Sequence, residues 1–274
     1  MVLDKLHSIF LFFDWPKRAE VLQTITSKEH PKGSNRKPLT DLCKTRWAAR
    51  HDSYSHFYTS YMYIVKALEV IVFGFHTKEY DFESKGKWDP KAKSEARSLL
   101  AAITSFDFIV SFLILYQYLS HLDSITVKLQ SSSLDIMKAY ELSSGVIATY
   151  QSLRDENETN FAPIYDQAVR MAKAVGVEPS MPRVSSGRQQ HRANAPAESA
   201  DKFYRINVAL PFLDHIIGEM TARFTEESHA CSAIIQLVPG LMNETHKSRE
   251  LTETAKIYTD DLPSPEVLQQ ELIR

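Results

Sequence analysis

From residue 54 onward the apolar side chains of this chain recur three and four positions apart, at Tyr54, Phe57, Tyr58, Tyr61, Val65, Leu68, Val72 and Phe75. That spacing places them on one face of a helix of about six turns and does not suit a half-buried strand, whose side chains alternate every second residue. The period recurs elsewhere. Leu3, Leu6, Phe10 and Phe13 predict a short first helix closed by Asp14-Trp15-Pro16, with a second over 17–27 at a hairpin angle to it. Pro90 suits the first turn of a further helix whose middle, 103–119, is apolar on nearly every side and is expected at the centre of a bundle. Leu129, Ile136, Tyr140, Ile147 and Tyr150 continue the pattern, and Phe161, Ile164, Tyr165, Ala168, Met171, Ala172 and Val175 form another amphipathic helix that Gly176 stops. Strand signals are poor and no internal repeat stands out, so the expected class is mainly α, a multi-helix bundle or array.

Two stretches break the period. Residues 29–43 combine prolines with Gly33, Ser34 and Asn35, and this loop delivers Thr45-Arg46-Trp47 to the start of the long helix. Residues 178–201 carry three prolines with Arg183, Arg188 and Arg192 and are expected to be an exposed connector. Helical spacing resumes at Ile206, Leu210, Leu213, Ile217, Met220 and Phe224, with Pro211 inside it expected to kink the helix. The expected divisions are therefore 1–41, 42–177, 178–201, 202–238 and a polar segment 239–274.

Composition removes several classes of function. Lys and Arg number 32 against 34 acidic residues, a net charge of −2, so any nucleic-acid contact has to use a local patch. Two cysteines, Cys43 and Cys231, stand far apart without the pairs a structural zinc site needs, which favours a reduced intracellular compartment. The apolar start has an early Asp4 and no cleavage signal, against a secretory peptide. The run 99–122 is interrupted by Asp107, Gln117, His121 and three serines, and is expected to be a buried core helix rather than a membrane span.

Candidate sites are few. A tryptophan beside arginine offers a surface for stacking on a base, so Arg46, Trp47 and Arg50 are candidate DNA contacts; the alternative is that Trp47 anchors the loop on the helical core. Arg183, Arg188, His191 and Arg192 are placed to reach phosphates from the connector, unless they only solvate a loop. His51 and His56 lie off a shared helical face, and no metal site or cofactor is expected. Asp214 and Glu219, five residues apart beside His215, lie on diverging faces, and Asp214 is expected to cap or pair locally. Glycine totals only eight, scattered, without a phosphate-binding loop, and Ser-Ser-Gly at 143–145 and 185–187 is not a hydrolase nucleophile setting. The tyrosines at 54, 58, 61 and 63 cover more than one face, so part of the long helix is expected to meet another domain or subunit.

The stretch 42–51 resembles a segment of the hAT superfamily of DNA transposases. Tyr204-Arg205-Ile206-Asn207-Val208-Ala209-Leu210-Pro211-Phe212-Leu213-Asp214 resembles a second block of that family. Pro182-Arg183, residues 187–194 and Arg223-Phe224 resemble a domesticated subgroup that includes the repressor of the inhibitor of the protein kinase and MYM-type zinc-finger proteins, although Ala49 stands where that subgroup is expected to carry glutamate. The resemblance covers most of residues 3–270. It implies that the chain corresponds to the helical insertion domain of a ribonuclease H-like transposase, with the catalytic sheet largely missing. Residues 1–41 would then be flanking helices, 42–177 and 202–238 the insertion domain, and 239–274 a lead towards a dimerisation region. In that family two aspartates and a glutamate bind the divalent metals of a two-metal reaction; the resemblance puts all three outside this chain, which is therefore expected to be no enzyme. It also implies nuclear residence, and for Trp47 a role in stacking on a flipped base near a transposon end.

Three readings follow. The first is a truncated or domesticated transposase-derived protein without transposase activity that binds protein or DNA, in hairpin or single-stranded form. The second is a fragment of an active transposase whose metal-binding carboxylates lie outside this chain. The third is a helical protein-interaction module with no nucleic-acid role. An apolar patch near Ile9, Phe10, Phe12 and Phe13 is expected to drive self-association; no membrane partner is expected.

Overall fold

A computed structural model describes residues 2–29, 39, 47–75, 80, 88–129, 136–182, 194–225, 264 and 267. Helices α1 (Val2–Phe13), α2 (Pro16–Glu29), α3 (Trp47–Phe73), α4 (Pro90–Ile103), α5 (Phe106–Leu129), α6 (Ile136–Asp155), α7 (Asn157–Ala174) and α8 (Ala200–Tyr204) are followed by a π-helical turn, Arg205–Ala209, and α9 (Leu210–Arg223). Among the described residues there is no strand. The chain divides into two compact units, Met1–Thr126 with Glu156–Pro211, and Val127–Asp155 with Phe212–Arg274.

In the first unit α3 packs against α2 and α4, and α1 against α2 and α4. The early turns of α3 bury one stripe, Ser53, Tyr54, Phe57, Ser60, Tyr61 and Ile64; further on Ala67, Leu68, Val70, Ile71 and Val72 are all buried. The helix therefore changes from amphipathic to enclosed along its length. The stripe does not run to Phe75 as expected. Gly74 closes α3 at φ 73°, its N–H bonded to Val70 O at 3.0 Å, and Phe75 lies outside the helix and exposed. Only glycine takes that left-handed φ without steric cost.

The single helix expected from Pro90 onward is two, α4 and α5, bent by 67°. Thr104 and Ser105 cause the break. Thr104 turns its hydroxyl to Leu100 O at 2.7 Å, and Ser105 Oγ accepts the Phe108 N–H at 3.3 Å, the bond of a helix N-cap. Tyr61 OH donates to Ile103 O at 3.1 Å, satisfying a carbonyl the broken helix would otherwise leave buried and bare. Beyond the bend Phe108, Ile109, Val110, Phe112, Leu113 and Ile114 are all buried, the central helix the sequence predicts. Among the described residues no single helix is long and apolar enough to cross a membrane.

Three of the four residues of the expected apolar patch on α1 are buried, Ile9, Phe12 and Phe13 at 0%, 4% and 5% accessible, while Phe10 is half-buried. Arg18 explains part of this, lying 4.2 Å over the Phe12 ring, donating to Phe12 O and pairing with Glu95 of α4 at 3.2 Å. At the other end of this unit Val177 N–H reaches Ala172 O and Gly176 N–H reaches Lys173 O, with Gly176 at φ 72°. This double closure ends α7 where the sequence predicts.

In the second unit α6 and the later part of α9 run antiparallel. Arg154 Nε donates to Asp214 Oδ1 at 2.6 Å near one end, and Tyr140 meets Phe224 edge-on at 5.5 Å near the other. Ser143, Val146, Tyr150 and Leu213 are buried.

Candidate nucleic-acid interface

Trp47 opens α3 and Arg50 stands in its first turn. Arg46, Arg183, Arg188, His191 and Arg192 lie outside the described residues. What the structure builds around the start of α3 is a ladder of rings shared with α5. His51, one turn after Trp47, lies flat on Tyr116 at 5.8 Å and 15°. Tyr116 stacks on Tyr58 at 5.1 Å and on Phe112 at 6.0 Å, and Phe112 stacks on Phe108 at 6.2 Å. Phe57 meets Phe108 and Phe112 edge-on. The ladder runs from the enclosed core outward to the Trp47 end, so that end of α3 is held by packing as well as by its own helix.

Polar groups fix the outer rungs. Gln117 Nε2 donates to Gln167 Oε1 at 3.1 Å, and the Gln167 amide donates in turn to Tyr58 OH, orienting that ring from α7. His51 Nδ1 lies 3.6 Å from Asp123 Oδ2, beyond hydrogen-bond reach, and its buried Nε2 has no hydrogen-bond partner among the described residues. Spacing along the sequence raises His51 only as a candidate metal ligand with His56. Its role in the ladder needed the α3–α5 register, which spacing along one helix cannot supply.

The connector is tied on both sides of its undescribed middle. Tyr204 OH donates to Ser180 O at 3.1 Å. Asn207 Oδ1 accepts the Ala195 N–H at 2.7 Å while its Nδ2 donates to Ala195 O at 3.1 Å and to Phe203 O at 3.2 Å. Both anchors come from one stretch of helix, and the π turn that contains Asn207 sits just before Pro211. The Leu210 N–H reaches back to Arg205 O, widening the helix where the proline ring would otherwise strike the preceding turn. The expected kink is thus a π turn. Both anchors belong to the block that resembles the transposase family, but their bonds to the connector are not legible from sequence spacing.

Asp214 does not pair locally as expected: its partner is Arg154 of α6. Glu219 pairs with Arg223 at 3.1 Å, so Asp214, His215 and Glu219 form no acid-base group. Among the described residues no three His, Cys, Asp or Glu side chains are placed to hold a metal ion.

These features define a mainly α-helical chain whose candidate site is an aromatic seam rather than a cluster of reactive groups. No family model matches it, and no solved structure does. It is 24% identical over 236 residues to the mouse 52 kDa repressor of the inhibitor of the protein kinase, and 23% identical over 237 residues to the human protein of that name. Each alignment takes in 86% of this chain and 30% of the relative, so the chain spans less than a third of the length of the curated relatives it matches.

Proposed function

We propose that this chain is a regulatory module derived from a hAT transposase, without strand-cleaving activity, that binds nucleic acid through the first turn of α3. The observation that carries the reading is the alignment with repressor proteins over 86% of the chain, which includes both blocks that resemble the transposase family. The ring ladder supports the location. It begins at His51, directly after the turn of α3 to which Trp47 and Arg50 belong, so the helix that carries them is held by packing before any base arrives.

Fluorescence anisotropy of labelled hairpin and single-stranded DNA, over a salt series, tests it with wild type and Trp47→Ala. Stacking of one base is worth about 1–3 kcal/mol, so the variant should bind about fivefold to a hundredfold more weakly. Binding indifferent to Trp47, or absent at low salt, overturns the nucleic-acid assignment and favours a protein-interaction module in its place.

A further inference from the structure

Trp15 is 66% exposed, the highest value of any large apolar side chain among the described residues. It sits between α1 and α2, and its surroundings are not apolar. The Arg18 guanidinium lies between two rings, 4.2 Å from Phe12 and 5.8 Å from Trp15, and is fixed there by Phe12 O and Glu95. Next to it Lys17 Nζ lies 4.6 Å over the ring of Trp88, which precedes α4. Lys17 and Lys91, both exposed, have no carboxylate partner among the described residues. Arg18 thus links the Phe12 ring to an indole that faces solvent, and the exposed Lys17 stands in the same first turn of α2.

We propose that this edge is a second nucleic-acid contact, separate from the start of α3, which takes an unpaired base of a single strand on Trp15 with a neighbouring phosphate on Lys17. The indole is held by a cation already desolvated against Phe12, so a base extends an existing stack. A duplex does not fit, because its bases are not free to stack on a side chain. Stacking is the main contribution, because Glu95 pairs with Arg18 and leaves Lys17 as the cation offered to a phosphate. Binding here should therefore depend on salt only weakly.

The chain has three tryptophans, Trp15, Trp47 and Trp88, which makes each one a reporter. In the full chain carrying Trp47→Phe and Trp88→Phe, Trp15 is the only indole, and its fluorescence is followed while oligo-dT is added. Saturable quenching that persists at raised salt, with no response to polyphosphate, is the expected result. Trp15→Ala in a Trp47→Ala background should weaken anisotropy-detected oligo-dT binding about fivefold or more. A silent Trp15 at saturating oligo-dT overturns the proposal. So does an equal response to polyphosphate or blunt duplex, or a spectral change on dilution alone, which would mark the edge as a contact between copies of the chain. If the double variant does not fold, the difference spectrum between wild type and Trp15→Phe gives the same reading. Loss of Trp47-dependent binding with Trp15 still responding would sink only the α3 assignment.

Discussion

Asn207 makes three hydrogen bonds with one amide, two of them to both backbone groups of Ala195. No other residue type presents a donor and an acceptor at that reach from that position except the longer glutamine. Asn207→Ala leaves those backbone groups to water and the Phe203 carbonyl half-satisfied, and should lower stability by about 1–3 kcal/mol in urea unfolding. Buried phenols make a second statement at this scale. Burial pushes the Tyr118 hydroxyl up to about 12, against the opposing hydrogen bond from Asn157, and burial also raises Tyr61, Tyr150 and Tyr204. Each folded value lies above the unfolded one near 10, so the unfolded chain loses its protons first as pH rises. The stability that Tyr118 contributes is complete below pH about 10 and is lost as pH climbs through about 12. Of the twelve tyrosines, at least these four should ionise only as helical circular dichroism is lost. Tyrosinate absorbance that reaches its full twelve-residue value ahead of unfolding would mean that these hydroxyls are not buried in solution.

Helix ends carry much of the specificity among the elements. Ser105 caps α5 and Gly176 closes α7, and both act through backbone groups that a helix cannot satisfy by itself. Ser105→Ala should cost about 1 kcal/mol. Gly176→Ala forces a side chain into the left-handed region at φ 72° and should cost about 1–2 kcal/mol, although nothing lies within 4 Å of the added Cβ. Equal stability of wild type and Gly176→Ala in thermal unfolding would show that the closure of α7 relaxes instead. The ends of α3 and α7 follow from Gly74 and Gly176. The break between α4 and α5 did not stand out because Thr104-Ser105 is a mild signal inside an apolar run, and the bend is held from outside by Tyr61.

On the scale of the whole molecule, a net charge of −2 gives no general attraction to a polyanion, so the number of local cations in contact sets the salt dependence. If single-stranded DNA engages Arg46 and Arg50 alone, log Kobs should fall against log salt with a slope of about −1.5. Engagement of Arg183, Arg188 and Arg192 as well should steepen it to about −3.5, and replacing those three by alanine should return it to the shallower value. A slope unchanged by the triple replacement would remove the connector from the interface. The anchors at Ser180 and Ala195 make this measurement informative, since both sides of the connector are tied to neighbouring turns of one helix.

Periodicity by itself determined the helical class and most helix positions, because a stripe at three-and-four spacing has one low-energy use in water. The sequence also placed the stop of the later helix at Gly176, though not that of α3 at Gly74. Tertiary structure decided which faces are covered. Ile9, Phe12 and Phe13 have the same stripe whether or not a partner helix exists, and only the packing of α1 on α2 and α4 shows that they are enclosed while Trp15 is not. It decided the partners of polar groups too: Asp214 meets Arg154, and His51 meets Tyr116, across distances in sequence that no local pattern spans. Local spacing reports the preferences of one element, whereas contacts between elements depend on register, and register is fixed only when the elements pack.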